Sequence, residues 1–295
     1  MIYLAALTLF LFVYNWGMDA IPQAHISPQT DLQDILPILV QTQITDNQLN
    51  ILSGQTGLHP RTIEKLLSQG KAKQLLQLQQ CYFAPVRIAT HSSTPLTISE
   101  HLVDEEGRRI TGMPLVDLQD GDILITKNSR FLGWRNGHAA LVVDAEEGVL
   151  LEAVMLGTAT RLSAVEKWSA YPSFQVLRLK EEYAQIEAYA DNTDPTTESL
   201  PQKIVAYAEK NLVEVPYHLH AGIWERLSPA KIKIVQAAEQ EEHLNTTLKG
   251  TQCAHLVWYA YKQFGIDLDS DGGLIVTPDD IRNSTYLEVI QSYGY

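Results

Sequence analysis

Only two of the 295 residues are cysteine, Cys81 and Cys253, and this scarcity narrows what the chain can do. Two cysteines build neither a disulfide framework nor a Cys-rich zinc site. A single Cys81–Cys253 bridge would leave no free thiol at all. Basic residues are also in short supply: 22 Lys and Arg stand against 35 Asp and Glu, a net charge of −13. Such a surface repels a phosphate backbone and argues against nucleic acid as a partner. Internal repeats and low-complexity tracts are missing too. The remainder is ordinary: 45% hydrophobic residues, and enough chain for one large domain or two modest ones.

Charge is absent from Met1–Gly17, which reads MIYLAALTLFLFVYNWG. The run suits the apolar core of a signal segment or a short anchor, since a full membrane span needs about 20 apolar residues. It has no basic n-region, and a buried N-terminal helix or strand is the competing assignment. Without polar periodicity to give it a solvent face, export or anchoring is favoured. The expectation is an extracytoplasmic protein of a bacterial cell envelope, secreted or attached to the membrane through this segment. Met18–Thr30 comes next as a linker, so residues 1–30 form a leader and linker.

Residues 31–83 read as a small helical unit, with helices expected over Leu32–Val40, Asp46–Ser53, Pro60–Ser68 and Lys71–Gln79. Within it, Thr45–Gly70 has the form of a helix-turn-helix, two short helices across a Gly-containing turn with Pro60 at a permitted first position. DNA binding is disfavoured by the acidic chain and by the few Lys and Arg on the second helix. The unit is expected instead to pack on, or shield, the larger domain C-terminal to it. Residues 84–112 are weakly patterned. From Pro114 onward, strands are expected over Gly121–Thr126, His138–Asp144, Val149–Val154 and Phe174–Leu179, with helices over Glu181–Ala190, Pro201–Leu212 and Ser228–Leu244. Val213–His220 reads as extended.

The stretch with most chemical content is Thr251–Asp269, TQCAHLVWYAYKQFGIDLD. Thr251 is the expected N-cap and Gly265 the stop. Cys253, Leu256, Val257, Ala260, Tyr261 and Phe264 share one helical face, so the helix should be buried. A cysteine at a helix N-terminus meets free N–H groups and the positive end of the dipole, which favour a thiolate. Alternatively, Cys253 is a small buried apolar residue. A thiolate nucleophile needs a base and usually a group to orient that base. Among nine histidines, His138 stands out because it opens an apolar strand directly after the turn Arg135-Asn136-Gly137. Its competing role is to cap that strand.

In order, LQDGDILIT, GHAALVVD, LLEAV, TQCAHLVWYAYKQFGIDLD and TPDDI resemble the circularly permuted NlpC-type, papain-like cysteine peptidases, with the YiiX/YebB-like proteins as the nearest branch. The resemblance covers about Pro114–Ser284 and is loose between Lys180 and Thr251. It implies an α+β fold, a permuted papain-like domain over residues 84–295 whose small antiparallel sheet packs on helices, preceded by the helical unit. It also implies Cys253 as nucleophile, His138 as base and Glu152 as the residue that orients the imidazole. Tyr217 matches a tyrosine that lines the family's cleft, although an ordinary core tyrosine reads the same way.

Whether Glu152 reaches His138 depends on hairpin register. A three-residue loop over Glu146-Glu147-Gly148 pairs Val142 with Glu152 and puts the carboxylate on the His138 face, well along the strand. A two- or four-residue loop puts it on the other face. The backbone N–H of Cys253 is a candidate oxyanion donor, and Gln252 and Trp134 are candidate substrate-binding residues. His218 and His220 alternate along one face of an extended segment, but without a third ligand they do not make a metal site. His255 should point away from Cys253. No cofactor is expected. The leading function is hydrolysis of an amide bond, with a cell-wall peptide as the natural substrate of an exported enzyme. Transfer or hydrolysis of a lipid acyl group, with Leu132, Trp134 and Trp224 lining an apolar groove, is the second. A non-catalytic binding module is the third.

Overall fold

The computed structural model describes residues 7–10, 13, 24–94, 96–184, 199–221, 223 and 248–295. It opens with four helices, α1 (Leu36–Leu39), α2 (Asp46–Thr56), α3 (Pro60–Ser68) and α4 (Ala72–Phe83). Strands β1 (Ile88–Thr94) and β2 (Thr97–Leu102) come next, then β3 (Ile123–Thr126), β4 (Ser129–Phe131), β5 (His138–Asp144), β6 (Val149–Glu152) and β7 (Arg161–Ala164). A 3-10 helix (Val165–Ala170), β8 (Phe174–Leu179), α5 (Glu181–Ala184), α6 (Leu200–Asn211), α7 (Cys253–Lys262), α8 (Pro278–Arg282) and β9 (Leu287–Tyr293) complete it. The fold is mixed α+β, with a six-stranded antiparallel sheet in the order β7-β6-β5-β3-β8-β9 and a three-stranded sheet in the order β1-β2-β4.

Both faces of the larger sheet are apolar, as its nearly continuous hydrophobic strands require. On one face Ile123, Ile125, Ala139, Leu141, Val143 and Leu151 pack with Leu200, Ile204 and Ala208 of α6 and with Leu256, Val257, Ala260 and Tyr261 of α7. On the other, Leu124, Ala140, Val142, Leu150 and Val176 share a core with Leu52, Ile63, Leu75 and Leu78 of α2–α4. The helical unit therefore covers the back of the sheet. Each of those four side chains is fully buried, and at roughly 1.5–3 kcal/mol per buried aliphatic side chain this contact is a large part of the fold's stability.

The helix-turn-helix geometry is present, with Thr45 and Gln48 forming a capping box and Gly57 ending α2 at φ +71°. Its basic groups, though exposed, are paired with acids. Arg61 pairs with Glu288 and Lys65 with Asp117. The last strand secures the same unit, through His59 N–H to Ile290 O at 2.8 Å and Ser292 N–H to Gly57 O at 2.8 Å. Ala24 and Ile26 are anchored as well. Ala24 N–H donates to Glu100 Oε2 at 2.7 Å, and Ile26 N–H donates to Gly294 O at 3.1 Å.

Several expectations need adjustment. Membrane attachment through the N-terminal apolar segment is overturned: among the described residues no helix is long and apolar enough to cross a membrane. Met1–Gly17 falls short of the roughly 20 residues a helical span requires. The weakly patterned residues 84–112 hold β1 and β2, and β1 escaped notice because its Ser-, Thr- and His-rich side chains are mostly exposed and carry no apolar alternation. Strands β7 and β9 were likewise not expected. The expected helix over Ser228–Leu244 and most of the Met1–Gly17 run lie outside the described residues, as does all but the first turn of Glu181–Ala190.

The turn that delivers β5 relies on Gly137, whose φ is +68° and whose missing Cβ would lie 2.4 Å from Thr126 O. Gly137→Ala should cost about 1–3 kcal/mol of stability, read as a lower urea midpoint. An unchanged midpoint would mean that the turn is not constrained.

Candidate active site

Helix α7 carries Cys253 at its first position. Its N-cap is Gln252, not Thr251. Gln252 Oε1 accepts from Ala254 N–H at 3.1 Å and from the Cys253 thiol at 3.5 Å, while its Nε2 donates to Val276 O at 2.7 Å. Glutamine displaces threonine because Thr251 is drawn into a bridge beside Tyr217, with its N–H on Pro216 O at 2.9 Å and its hydroxyl on His255 Nδ1 at 3.0 Å. The thiol faces His138 and the backbone N–H groups of Ala139 and Ala254. These are the donors and the cation that a thiolate at a helix N-terminus uses.

His138 opens β5, opposite Thr126 of β3. The loop before it is braced by a buried carboxylate: Arg130 and Arg135 both donate to Glu100 Oε1, at 2.7 and 2.8 Å, and Arg135 Nη1 donates to Lys127 O at 2.6 Å. The ring stacks on the buried indole of Trp168, centroids 5.7 Å apart and planes 22° from parallel. Its Nε2–H donates to Glu152 Oε2 at 3.0 Å, which leaves Nδ1 as the nitrogen for Cys253.

The hydrogen bond to Glu152 depends on a bulge. Asp144 pairs with Val149 around a four-residue loop, and on that register Glu152 would lie across from Leu141, on the wrong face. Between Val142 and Asp144 the register shifts, so that Leu141 pairs with Leu151. Extended by one residue, this register sets Glu152 across from Ala140, on the His138 face and two residues nearer to His138 than the three-residue loop would have placed it. Glu152 is fully buried. Its Oε1 accepts from Ser163 Oγ at 2.6 Å and from Lys167 Nζ.

These contacts set the electrostatics. Burial favours the neutral form of His138, but hydrogen bonds to Cys253 and Glu152 and their charges outweigh it and raise the ring to about 9. Burial also opposes a thiolate at Cys253, yet the hydrogen bond and charge of His138 and the two backbone N–H groups bring the thiol below its ordinary value. Burial of Glu152 is overcome first by His138 and then by Lys167, which hold the carboxyl well below the usual carboxylate range. Together these contacts favour the charged form of all three groups, with the thiol and the carboxyl lowered and the imidazole raised.

The other sequence-predicted residues divide. Tyr217 lies within reach of the thiol's charge: burial and then the charge on Cys253 push its phenol upward. Gln252 is occupied on both amide atoms as a cap. Trp134 is 77% exposed on the loop four residues before His138, and Leu132 sits on the same loop at φ +51°. Trp224 lies outside the described residues. His255 is fully buried and turned toward Trp258 and Tyr259. His218 and His220 stack, centroids 5.4 Å apart. A different group could hold a metal among the described residues: Asp269, Asp271 and Asp280 bring carboxylate oxygens within 4.8 Å of one another, with Asp280 Oδ2 already accepting from Thr277 N–H and Oγ1. Ser163, Lys167 and Trp168 went unrecognised because β7 and the 3-10 helix carry no apolar pattern that would place them near a site.

No protein-family model, curated protein or solved structure matches this chain.

Glu152→Gln should lower the pH at which the His138 ring loses its proton from about 9 by about one to two units, measured by NMR titration of the labelled ring. An unmoved midpoint would remove Glu152 as the partner. Because this raised value exceeds the unfolded one, the ring's contribution to stability is full at mildly acidic pH and disappears as pH rises through about 9. That alkaline loss should shrink in the variant.

Proposed function

We propose that this chain is a thiol-dependent hydrolase that cleaves an amide bond through an acyl-enzyme on Cys253, and that it is kin to the circularly permuted papain-like, NlpC-type peptidases. The observation that carries the proposal is the run of contacts from the Cys253 thiol to His138 and from His138 Nε2–H to Glu152 at 3.0 Å. Three groups far apart in sequence come together in the order nucleophile, base and orienting acid. The order along the chain, with the histidine strand before the cysteine helix, suits the permuted branch.

In this mechanism the thiolate attacks the substrate carbonyl carbon, and the carbonyl oxygen takes up negative charge. The N–H of Cys253, in the first turn of α7, has no intrahelical acceptor and is available to that oxygen. As the C–N bond breaks, His138 gives its proton to the departing amine. A water molecule, deprotonated by His138, then attacks the thioester carbonyl and releases the acid, and the thiolate–imidazolium pair returns. Tyr217 walls the thiol. Of substrates, an exported enzyme of a bacterial envelope would take a cell-wall peptide.

A second reading, acyl transfer or hydrolysis on a lipid, has support of its own. Exposed apolar side chains sit on the segments that leave the site: Trp134 before His138, Leu156 after Glu152, Leu219 after Tyr217, and Leu274 and Ile275 beside Val276, which holds Gln252.

Iodoacetamide alkylation followed against pH tests the shared chemistry. Cys253 should react quickly below neutral pH and slow about 10- to 100-fold at pH 6 in His138→Ala. Cys81 is the internal control, since burial pushes its thiol up. If Cys253 reacts no faster than Cys81 and ignores His138, the proposal fails and a binding module remains. Peptide amides and acyl esters assayed side by side then separate the two substrates, and Cys253→Ala should abolish either turnover.

A further inference from the structure

Glu152 has two oxygens and three partners, and the partners are not shared evenly. His138 alone takes Oε2, whereas Ser163 Oγ and Lys167 Nζ both take Oε1. Lys167 also donates to Ser163 Oγ at 3.2 Å, joining its two anchoring groups to each other. It lies on the 3-10 helix one residue before Trp168, whose indole stacks on the His138 ring. One turn of chain thus supports both the ring and the carboxylate that directs it. A terminal carboxylate torsion is broad and nearly two-fold, so a carboxylate held through a single oxygen would leave its aim at His138 loose.

Charge gives a second reason for a cation here. Under the proposed mechanism the resting cluster holds a thiolate, an imidazolium and a carboxylate, which together leave one negative charge in a largely buried place. Lys167 brings the cluster to neutrality. Of the other groups near it, Tyr171 from its own segment and Tyr217 beside Cys253 are phenols kept neutral by burial, Ser163 of β7 is uncharged, and Arg109 is a further cation felt at Tyr171. The Lys167 side chain is 32% exposed. Glu152 is fully buried, so the pair is not a solvated surface contact and the cation acts on the carboxylate with little screening.

We infer that Lys167 is a positioning residue for the Cys253–His138 pair, fixing Glu152 Oε1 so that Oε2 faces the ring and supplying the cation that balances the cluster. It acts through Glu152 and does not touch the substrate. The inference rests on the hydrolase reading of the site.

The test is the pH profile of Cys253 alkylation by iodoacetamide in the full chain, with Cys81 as control. Removing the cation makes a thiolate harder to form beside Glu152. In Lys167→Met the acid limb should therefore move up by about 0.5–1 pH unit, and the rate at pH 6 should fall about 3- to 10-fold. Lys167→Gln keeps a donor without the charge and should shift with Met, whereas Lys167→Arg should restore the wild-type limb. If Lys167→Met does not fold, Gln and Arg still form the comparison. A merely structural lysine would change thermal stability and leave the limb where it is. A limb unmoved in Met and Gln, or displaced equally in Arg, overturns this inference alone. A wild-type profile with no His138-dependent limb overturns it together with the hydrolase reading.

Discussion

A carboxylate buried out of reach of water dictates the layout of its neighbourhood. Left alone, Glu152 would cost several kcal/mol or take up a proton. It stays ionised because His138, Ser163 and Lys167 converge on it from three separate elements, β5, β7 and the 3-10 helix. Other features set the meeting point: the Gly137 turn places β5, the bulge at Val143 places β6 with Glu152 itself, and the indole of Trp168 inserted in the core places the 3-10 helix. The proposed nucleophile gains its character at the far end of the same chain of contacts, since a ring tied to a carboxylate is a stronger partner for the thiol.

The sheet separates two jobs. One face is a packing surface for α6 and α7 and so sets the height at which Cys253 meets the end of β5. The other is sealed by α2–α4, which share the core that holds Trp168 and Ala140. The helical unit resembles a DNA reader in outline but uses its apolar faces to hold the sheet, and two of its basic side chains, Arg61 and Lys65, pair with Glu288 and Asp117. Covering an otherwise exposed apolar face is reason enough for its presence.

What could be read from residues alone tracked the apolar periodicity. The cysteine helix, the strands around Ile123, Leu141 and Val176, and the helices around Leu52 and Ile63 all carry clear patterns, and they supplied Cys253 and His138, the proposed thiol and base. The acid was the harder member, because its face depends on one extra residue in β5, and a bulge among Val142, Val143 and Asp144 has no mark in a run of valines. Lys167 and Ser163 were invisible for a related reason: β7 is an edge strand with exposed side chains, and edge strands need no alternation. The cap of α7 was misjudged because Thr251 had a competing partner in the Pro216–Tyr217 segment, a tertiary contact outranking a local preference.

The pairing of β9 with the front of the chain has a consequence for folding. Leu58 bridges Gln291, His59 donates to Ile290, and Ile26 donates to Gly294, so α2–α4 gain their full seat only when β9 is also in place. Until then α2–α4 display Leu52, Ile63, Leu75 and Leu78 with no complete sheet behind them, and β8 lacks its outer neighbour. Closing contacts of such large sequence separation is slow. The helical unit is therefore completed late in folding, and its leucine-rich faces stay uncovered until β9 has paired.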